Sequence, residues 1–152
     1  MNNQEIFEEL SRLAQLDIDA VQAYDAAISA LGQGPIASEL SLFKLEHERH
    51  VLELSQLIMG LGHNPPEAKP DTKGTLLKGF TALRARLGKE QALRAMRSNE
   101  QLTNSVYAKA LAKPFPEPIL EVVRRGHGDE QRHLAYVERA LDHRLWETGA
   151  HP

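Results

Sequence analysis

The chain has 152 residues, 41% of them hydrophobic and 26% charged, with a net charge of -3 at neutral pH and no cysteine. That length suits one domain able to bury about two-thirds of its unfolded surface. The missing thiols exclude disulfides and thiolate metal sites, leaving His, Asp and Glu as the strong ligands on offer.

The opening Met1-Asn2-Asn3-Gln4-Glu5 has neither a basic nor an apolar leader segment, and no apolar run approaches the ~20 residues of a membrane span. With the absence of cysteine fitting a reducing compartment, a cytoplasmic protein with no membrane partner is expected.

In chain order, Ile6, Leu10, Leu13, Asp17, Ala20, Tyr24, Ala27 and Leu31 recur at three-and-four spacing and predict a first helix from about Asn3 to Leu31. Asp17 stands in that apolar stripe; Asp19 and Asp25 fall off it and are read as solvent-facing. Gly32 and Gly34 end the helix, and Pro35 suits the first turn of the next. The second helix carries Ile36, Leu40, Phe43, His47, His50, Leu54, Leu57 and Leu61 inward and stops at Gly62.

A Pro-, Lys- and Asp-rich loop follows from His63 to Lys73, then a short amphipathic helix with Leu76, Leu77, Phe80, Leu83 and Leu87 that ends at Gly88. The third helix, about Lys89 to Ala112, turns Leu93, Met96, Glu100, Thr103, Tyr107 and Ala110 inward. Pro114, Pro116 and Pro118 force a turn, and the fourth helix runs to about Trp146 with Ile119, Val123, Gly126, Glu130, His133, Val137 and Leu141 on its stripe; the tail from Glu147 to Pro152 is read as frayed. The domain therefore divides into halves at about 3–61 and 89–146 with a connector at 62–88.

Charge is unevenly placed. Residues 1–68 carry 3 basic and 11 acidic side chains, 69–97 carry 8 and 2, and 98–152 carry 7 and 8. The basic connector, with Lys73, Lys78, Arg84, Arg86, Lys89, Arg94 and Arg97, invites an anionic partner. No aromatics interleave these charges and the whole chain is acidic, so nucleic acid is not the expected partner.

Ionisable groups on core stripes cost several kcal/mol unless paired, hydrogen-bonded or bound to metal. Glu130-Gln131-Arg132-His133 and His47-Glu48-Arg49-His50 occupy matching places in the fourth and second helices. They belong to a repeat at an offset of 83 residues. Leu10 maps to Leu93, Asp17 to Glu100, Tyr24 to Tyr107, Ala27 to Ala110, Pro35 to Pro118, Ile36 to Ile119, His47 to Glu130, Arg49 to Arg132 and His50 to His133. The carboxylate precedes the motif by 30 residues in each half.

An antiparallel pair turning near residue 33 brings Asp17 level with about residue 49, and one turning near 116 brings Glu100 opposite Glu130 and His133. Six ligand-type side chains then converge: Asp17, His47, His50, Glu100, Glu130 and His133. Imidazole and carboxylate donors suit Fe, Mn, Zn or Co without choosing between them.

This pattern resembles the ferritin-like superfamily of four-helix bundles, and more closely an uncharacterised bacterial branch of it known only as a four-helix-bundle domain of unknown function. The Asp-to-Tyr and Glu-to-Tyr spacing and the Leu-Gly connector carry the closer likeness. The resemblance implies an all-α bundle of two repeated helix pairs joined by a long crossover. It also implies a carboxylate from each of two helices and a Glu-x-x-His from each of the other two around a di-iron or di-manganese centre. Iron, with O2 or peroxide as co-substrate, is what the likeness suggests, in a ferroxidase or small oxidase.

His47 departs from that pattern. Three carboxylates against two divalent ions leave one positive charge over, so an added anion, hydroxide or the off-stripe Glu46 is needed, or else the site is mononuclear or asymmetric. His127, one turn before Glu130, is a possible seventh ligand or supporting group, set against a surface histidine beside Gly128. Tyr24 and Tyr107 read as core tyrosines, with hydrogen bonding to the site as the functional alternative.

Met59 and Met96 read as core residues, which leaves a methionine-ligated haem unsupported, and Arg49 and Arg132 as pairing with acids on the outer surface. The competing reading is a non-catalytic helical stress or adaptor protein whose site is structural or degenerate. A homodimer is preferred to a large cage because the C-terminal tail is short.

Overall fold

The computed structural model describes residues 1–69 and 88–148. Among the described residues, four long helices and one short one make up the regular structure: α1 (Asn3–Leu31), α2 (Pro35–Gly60), α3 (Lys89–Leu111), α4 (Glu117–Asp142) and α5 (Leu145–Thr148). There is no strand among the described residues, and no helix among them is long and apolar enough to cross a membrane.

Local sequence sets the boundaries. Asn2 and Glu5 close a capping box at the start of α1, the Asn2 side chain accepting from the Glu5 N–H and the Glu5 carboxylate accepting from the Asn2 N–H. Gly32, at φ 69°, takes the left-handed turn that ends α1. Pro35 opens α2, and Pro116 caps α4.

The helices pack as a bundle in which α1 lies mainly on α2 and α3 on α4; α1 also packs on α3, and α2 touches α4 more sparsely. Contacts fix the directions. Asp17 and Asp25 of α1 meet His50 and Lys44 of α2, and Tyr24 and Asp17 of α1 meet Glu100 and Tyr107 of α3, so α1 is antiparallel to both. α2 and α3 therefore run in the same sense, and the chain between Gly60 and Lys89 joins opposite ends of the bundle.

The apolar core comes in two parts. One end holds Ala27, Leu31, Ile36, Leu40, Phe43, Leu93, Met96, Val137 and Leu141; the other holds Ile6, Leu10, Leu13, Leu54, Ile58, Tyr107, Phe115, Ile119 and Val123. Between them lie eight buried polar side chains: Asp17, His47, His50, Asn99, Glu100, Thr103, Glu130 and His133. A polar layer across the middle of a bundle core is expensive unless its members satisfy one another or a ligand.

Three expectations need correction. In α2 the last turns bury Ile58 rather than Leu57, and Met59 is 54% exposed while Met96 is fully buried. A stripe continued at 47, 50, 54, 57 needs 3.5 residues per turn; a straight helix has 3.6 and drifts by ~20° per heptad, which carries position 58 inward. The fourth helix stops at Asp142 instead of Trp146. Arg144 adopts a left-handed conformation (φ 49°), and Leu145 turns back into the core at the start of α5. The short helix expected at Leu76–Leu87, with Lys73, Lys78, Arg84 and Arg86, lies outside the described residues.

Candidate metal centre

All six residues singled out by spacing lie in the central layer, each at most 3% exposed. Their donor atoms sort into two groups of four. Asp17, His47, His50 and Glu130 form one, and His47, Glu100, Glu130 and His133 the other, with the donor atoms of each group within 4.8 Å of one another. Either group could hold a metal ion.

In the first group, Asp17 Oδ1 lies 2.7 Å from His47 Nδ1 and 3.2 Å from His50 Nδ1, while Glu130 Oε1 lies 3.4 and 3.3 Å from the same nitrogens. In the second, Glu100 Oε1 is 3.4 Å from His47 Nε2 and 3.8 Å from His133 Nδ1, and Glu130 Oε2 is 3.4 Å from His133 Nδ1. Several of these atoms crowd together without hydrogen-bonding: Glu130 Oε1 and both nitrogens of His133 are buried with no hydrogen-bond partner. Asp17 does hydrogen-bond His47 and His50, and Glu100 hydrogen-bonds His47; the unpaired donor atoms beside them are what a cation requires. Buried polar atoms without partners are otherwise rare.

The surrounding polar side chains hold the carboxylates in place. Tyr107 Oη donates to Asp17 Oδ2 at 2.6 Å and Tyr24 Oη donates to Glu100, so each half supplies the phenol that anchors the other half's carboxylate. The phenols are therefore hydrogen-bond donors to the site as well as core residues. Burial, then Glu100 for Tyr24 and Asp17 for Tyr107, raises both phenol pKa values well above the usual range, keeping them protonated as donors.

Gly126 makes room for this contact, because a Cβ there would stand 2.7 Å from Cε1 of Tyr107. Thr103 Oγ1 lies 3.1 Å from Glu100 Oε2 and 3.2 Å from Glu130 Oε2. Asn104 donates to the Glu100 and Glu130 carbonyls at 2.8 and 2.9 Å, tying α3 to α4 at the same depth.

On the side where α2 faces α4, charged pairs cover the site. Arg49 binds Asp129 and Arg132 binds Glu46, confirming that these arginines pair with nearby acids. Beneath them, Asp129 Oδ2 is 2.9 Å from His50 Nε2, and Glu46 Oε1 is 3.7 Å from His133 Nε2. Glu46 thus supports a candidate ligand rather than joining either group. His127 is half-buried and belongs to neither group.

Asp129 escaped the sequence reading because it points away from the stripe; the offset of 83, which maps Glu46 onto it, was the signal that could have found it. Asn99, fully buried with no partner for either side-chain polar atom, had no such signal.

Electrostatics favour protonated imidazoles in the metal-free layer. Burial opposes charge on His47, but Glu130, Asp17 and Glu100 outweigh it and hold its pKa well above the ordinary imidazole value. Burial also opposes charge on His50, yet Asp17 and Glu130 raise it to about 10. Glu130 shows the converse: burial would raise it, but His47, His133 and His50 hold it well below the usual carboxylate range. Burial, with Glu130 beside it, leaves Glu100 above its ordinary value despite His47.

Residues 5–113 match the model of a family described as a domain of unknown function, DUF2383. The chain belongs to this family. The DUF2383 match takes in Asp17, His47, His50, Glu100 and both tyrosines and ends before α4, so Glu130, His133 and Asp129 lie beyond it. No curated protein and no solved structure is similar enough to extend that match.

Proposed function

We propose that this DUF2383 chain is a non-haem metal carboxylate protein of the ferritin-like kind, holding one or two divalent ions and handling iron or reactive oxygen in the manner of a ferroxidase or small oxidase. The observation that carries the reading is the pair of buried four-donor groups sharing His47 and Glu130. The donor chemistry fits iron, manganese or zinc, and Glu130 Oε1 and the His133 nitrogens, which belong to residues of that set, are among the buried atoms left without hydrogen bonds.

When bound, the metal supplies Lewis acidity and, for iron or manganese, one-electron redox capacity. The protein's own groups do the rest. Tyr24, Tyr107 and Thr103 orient the carboxylates, Asp129 orients His50, and the two apolar clusters exclude water from either end of the layer. The homodimer belongs to the same proposal. Leu45, Leu52 and Met59, exposed at seven-residue intervals along α2, offer the kind of seam on which a second copy packs.

The test is elemental analysis after anaerobic Fe2+ loading and desalting, followed by O2 uptake. One or two metals per chain are expected in the wild type, none in Glu130→Ala, which removes a donor from both groups, and fewer than the wild type in His133→Ala, which removes one from the second group alone, with helical circular dichroism retained. A wild type that keeps no metal, or variants that bind as well as it does, would overturn the reading.

One observation favours the alternative, a structural or degenerate layer in a non-catalytic stress or adaptor protein. A protonated His47 among Asp17, Glu130 and Glu100 already partly neutralises the carboxylates. That alternative predicts no metal and no O2 uptake.

A further inference from the structure

Position 47 holds an imidazole where its repeat counterpart, position 130, holds a carboxylate. The two residues are also the ones common to both donor groups. We propose that His47 is a bridging ligand, with Nδ1 on the ion held by Asp17, His50 and Glu130 Oε1 and Nε2 on the ion held by Glu100, His133 and Glu130 Oε2. This rests on the metal-binding reading above and is independent of which metal is native.

The two ring nitrogens face different donor sets. Nδ1 lies 2.7 Å from Asp17 Oδ1 and 3.4 Å from Glu130 Oε1; Nε2 lies 3.4 Å from Glu100 Oε1. The Glu130 carboxylate divides in the same sense, Oε1 standing 3.3 Å from His50 Nδ1 and Oε2 standing 3.4 Å from His133 Nδ1. Tetrahedral sites with metal–ligand bonds of about 2.0–2.1 Å have donor-to-donor edges of about 3.3–3.4 Å. Five of the seven donor-to-donor distances given above, at 3.2–3.4 Å, match that value, with Asp17–His47 shorter at 2.7 Å and Glu100–His133 longer at 3.8 Å.

Charge leads to the same assignment. Asp17, Glu100 and Glu130 supply three negative charges, one short of two divalent ions. An imidazole bonded through both nitrogens carries no ring proton and is itself an anion, so His47 supplies the fourth charge and its last ring proton passes to solvent. The replacement of a carboxylate at position 47 then keeps the site neutral and changes the spacing. Bonds of about 2 Å on diverging sides of one ring put the ions roughly 6 Å apart, against about 3.5–4 Å in ordinary two-metal sites.

The test uses Zn2+ alone, which binds imidazole and carboxylate without redox chemistry. Crystals of the Zn2+-loaded protein, read by anomalous scattering, should show two ions about 6 Å apart, one beyond each nitrogen of His47. In solution, elemental analysis should find two zinc ions per chain in the wild type and one in His47→Asn, with the helices intact by circular dichroism. His47→Glu, which restores a carboxylate, should bring two ions to within about 4 Å and keeps the test valid if His47→Asn fails to fold.

Two ions on one side of the ring in the wild type, or a single ion, would overturn the bridge and leave metal binding standing. No ion at all would overturn both.

Discussion

Replacing Tyr107 with Phe removes one oxygen atom from the molecule and little else, so its effect isolates the anchoring of Asp17. The phenol is 1% exposed and donates at 2.6 Å to Asp17 Oδ2, while the other carboxylate oxygen, Oδ1, faces His47 and His50. Hydrogen bonds to charged acceptors contribute about 1.5–3 kcal/mol net, and the loss leaves a buried carboxylate oxygen short of a donor, so the upper half of that range is expected.

For a chain of this length, a loss of about 2–3 kcal/mol lowers the melting temperature by roughly 4–12 °C. With a urea m-value of about 2 kcal/mol/M it moves the midpoint by roughly 1–1.5 M. The assay is urea unfolding of the metal-free protein followed by circular dichroism, with the m-value checked for constancy. Tyr136→Phe provides the control: that hydroxyl is buried with no hydrogen-bond partner, so its removal should be neutral or stabilising. A change of less than about 0.5 kcal/mol in Tyr107→Phe, the scale of surface substitutions, would refute the reasoning.

Gly126→Ala should cost about 1–2 kcal/mol, since overpacking against Tyr107 outweighs the gain of about 1 kcal/mol in helix propensity. Combined with Tyr107→Phe its effect should fall short of the sum of the two, and strict additivity would show that the glycine does not serve the phenol. Asp129→Asn should weaken Zn2+ binding 10–100-fold in competition with a chelator, because it removes the carboxylate that orients His50; unchanged affinity would refute that role.

Metal-free stability should also depend on pH. The folded-state pKa values of His47 and His50 lie above the unfolded value of about 6.5, so their contribution is complete below that value. It is lost as pH rises, for His50 through about 10. Urea midpoints should therefore fall between pH 7 and 9.5, and a flat or rising profile there would contradict the protonation pattern.

The sequence made the main helices legible because each carries one apolar stripe with a strong stop on either side: Gly32 and Pro35, Gly62, then the three prolines around the start of α4. The six candidate ligands could be found for the same reason, since ionisable residues on such a stripe stand out against their neighbours. What escaped lay off the stripe or at its ends. Asp129 sits one residue from Glu130, about 100° around the helix, where a carboxylate normally meets water; it is held instead by Arg49 and Arg132. The positions of Ile58 and Met59 depend on the helical drift accumulated over several turns. The break at Arg144 depends on Leu145 finding a place in the core, which no local signal announces.

The crossed tyrosine contacts also bear on how the two hairpins find each other. Helices that meet through apolar side chains alone can slide by a turn, about 5.4 Å, and still bury a similar area. Here such a slide would strand Asp17 and Glu100 from Tyr107 and Tyr24 at once, leaving two phenols buried without acceptors and each carboxylate short of a donor. Both anchors run between α1 and α3, in opposite directions along the chain, so a shift that relieved one could not relieve the other. The polar layer thus acts as a registration key: it makes misaligned assemblies unstable even where it adds little to the stability of the aligned one.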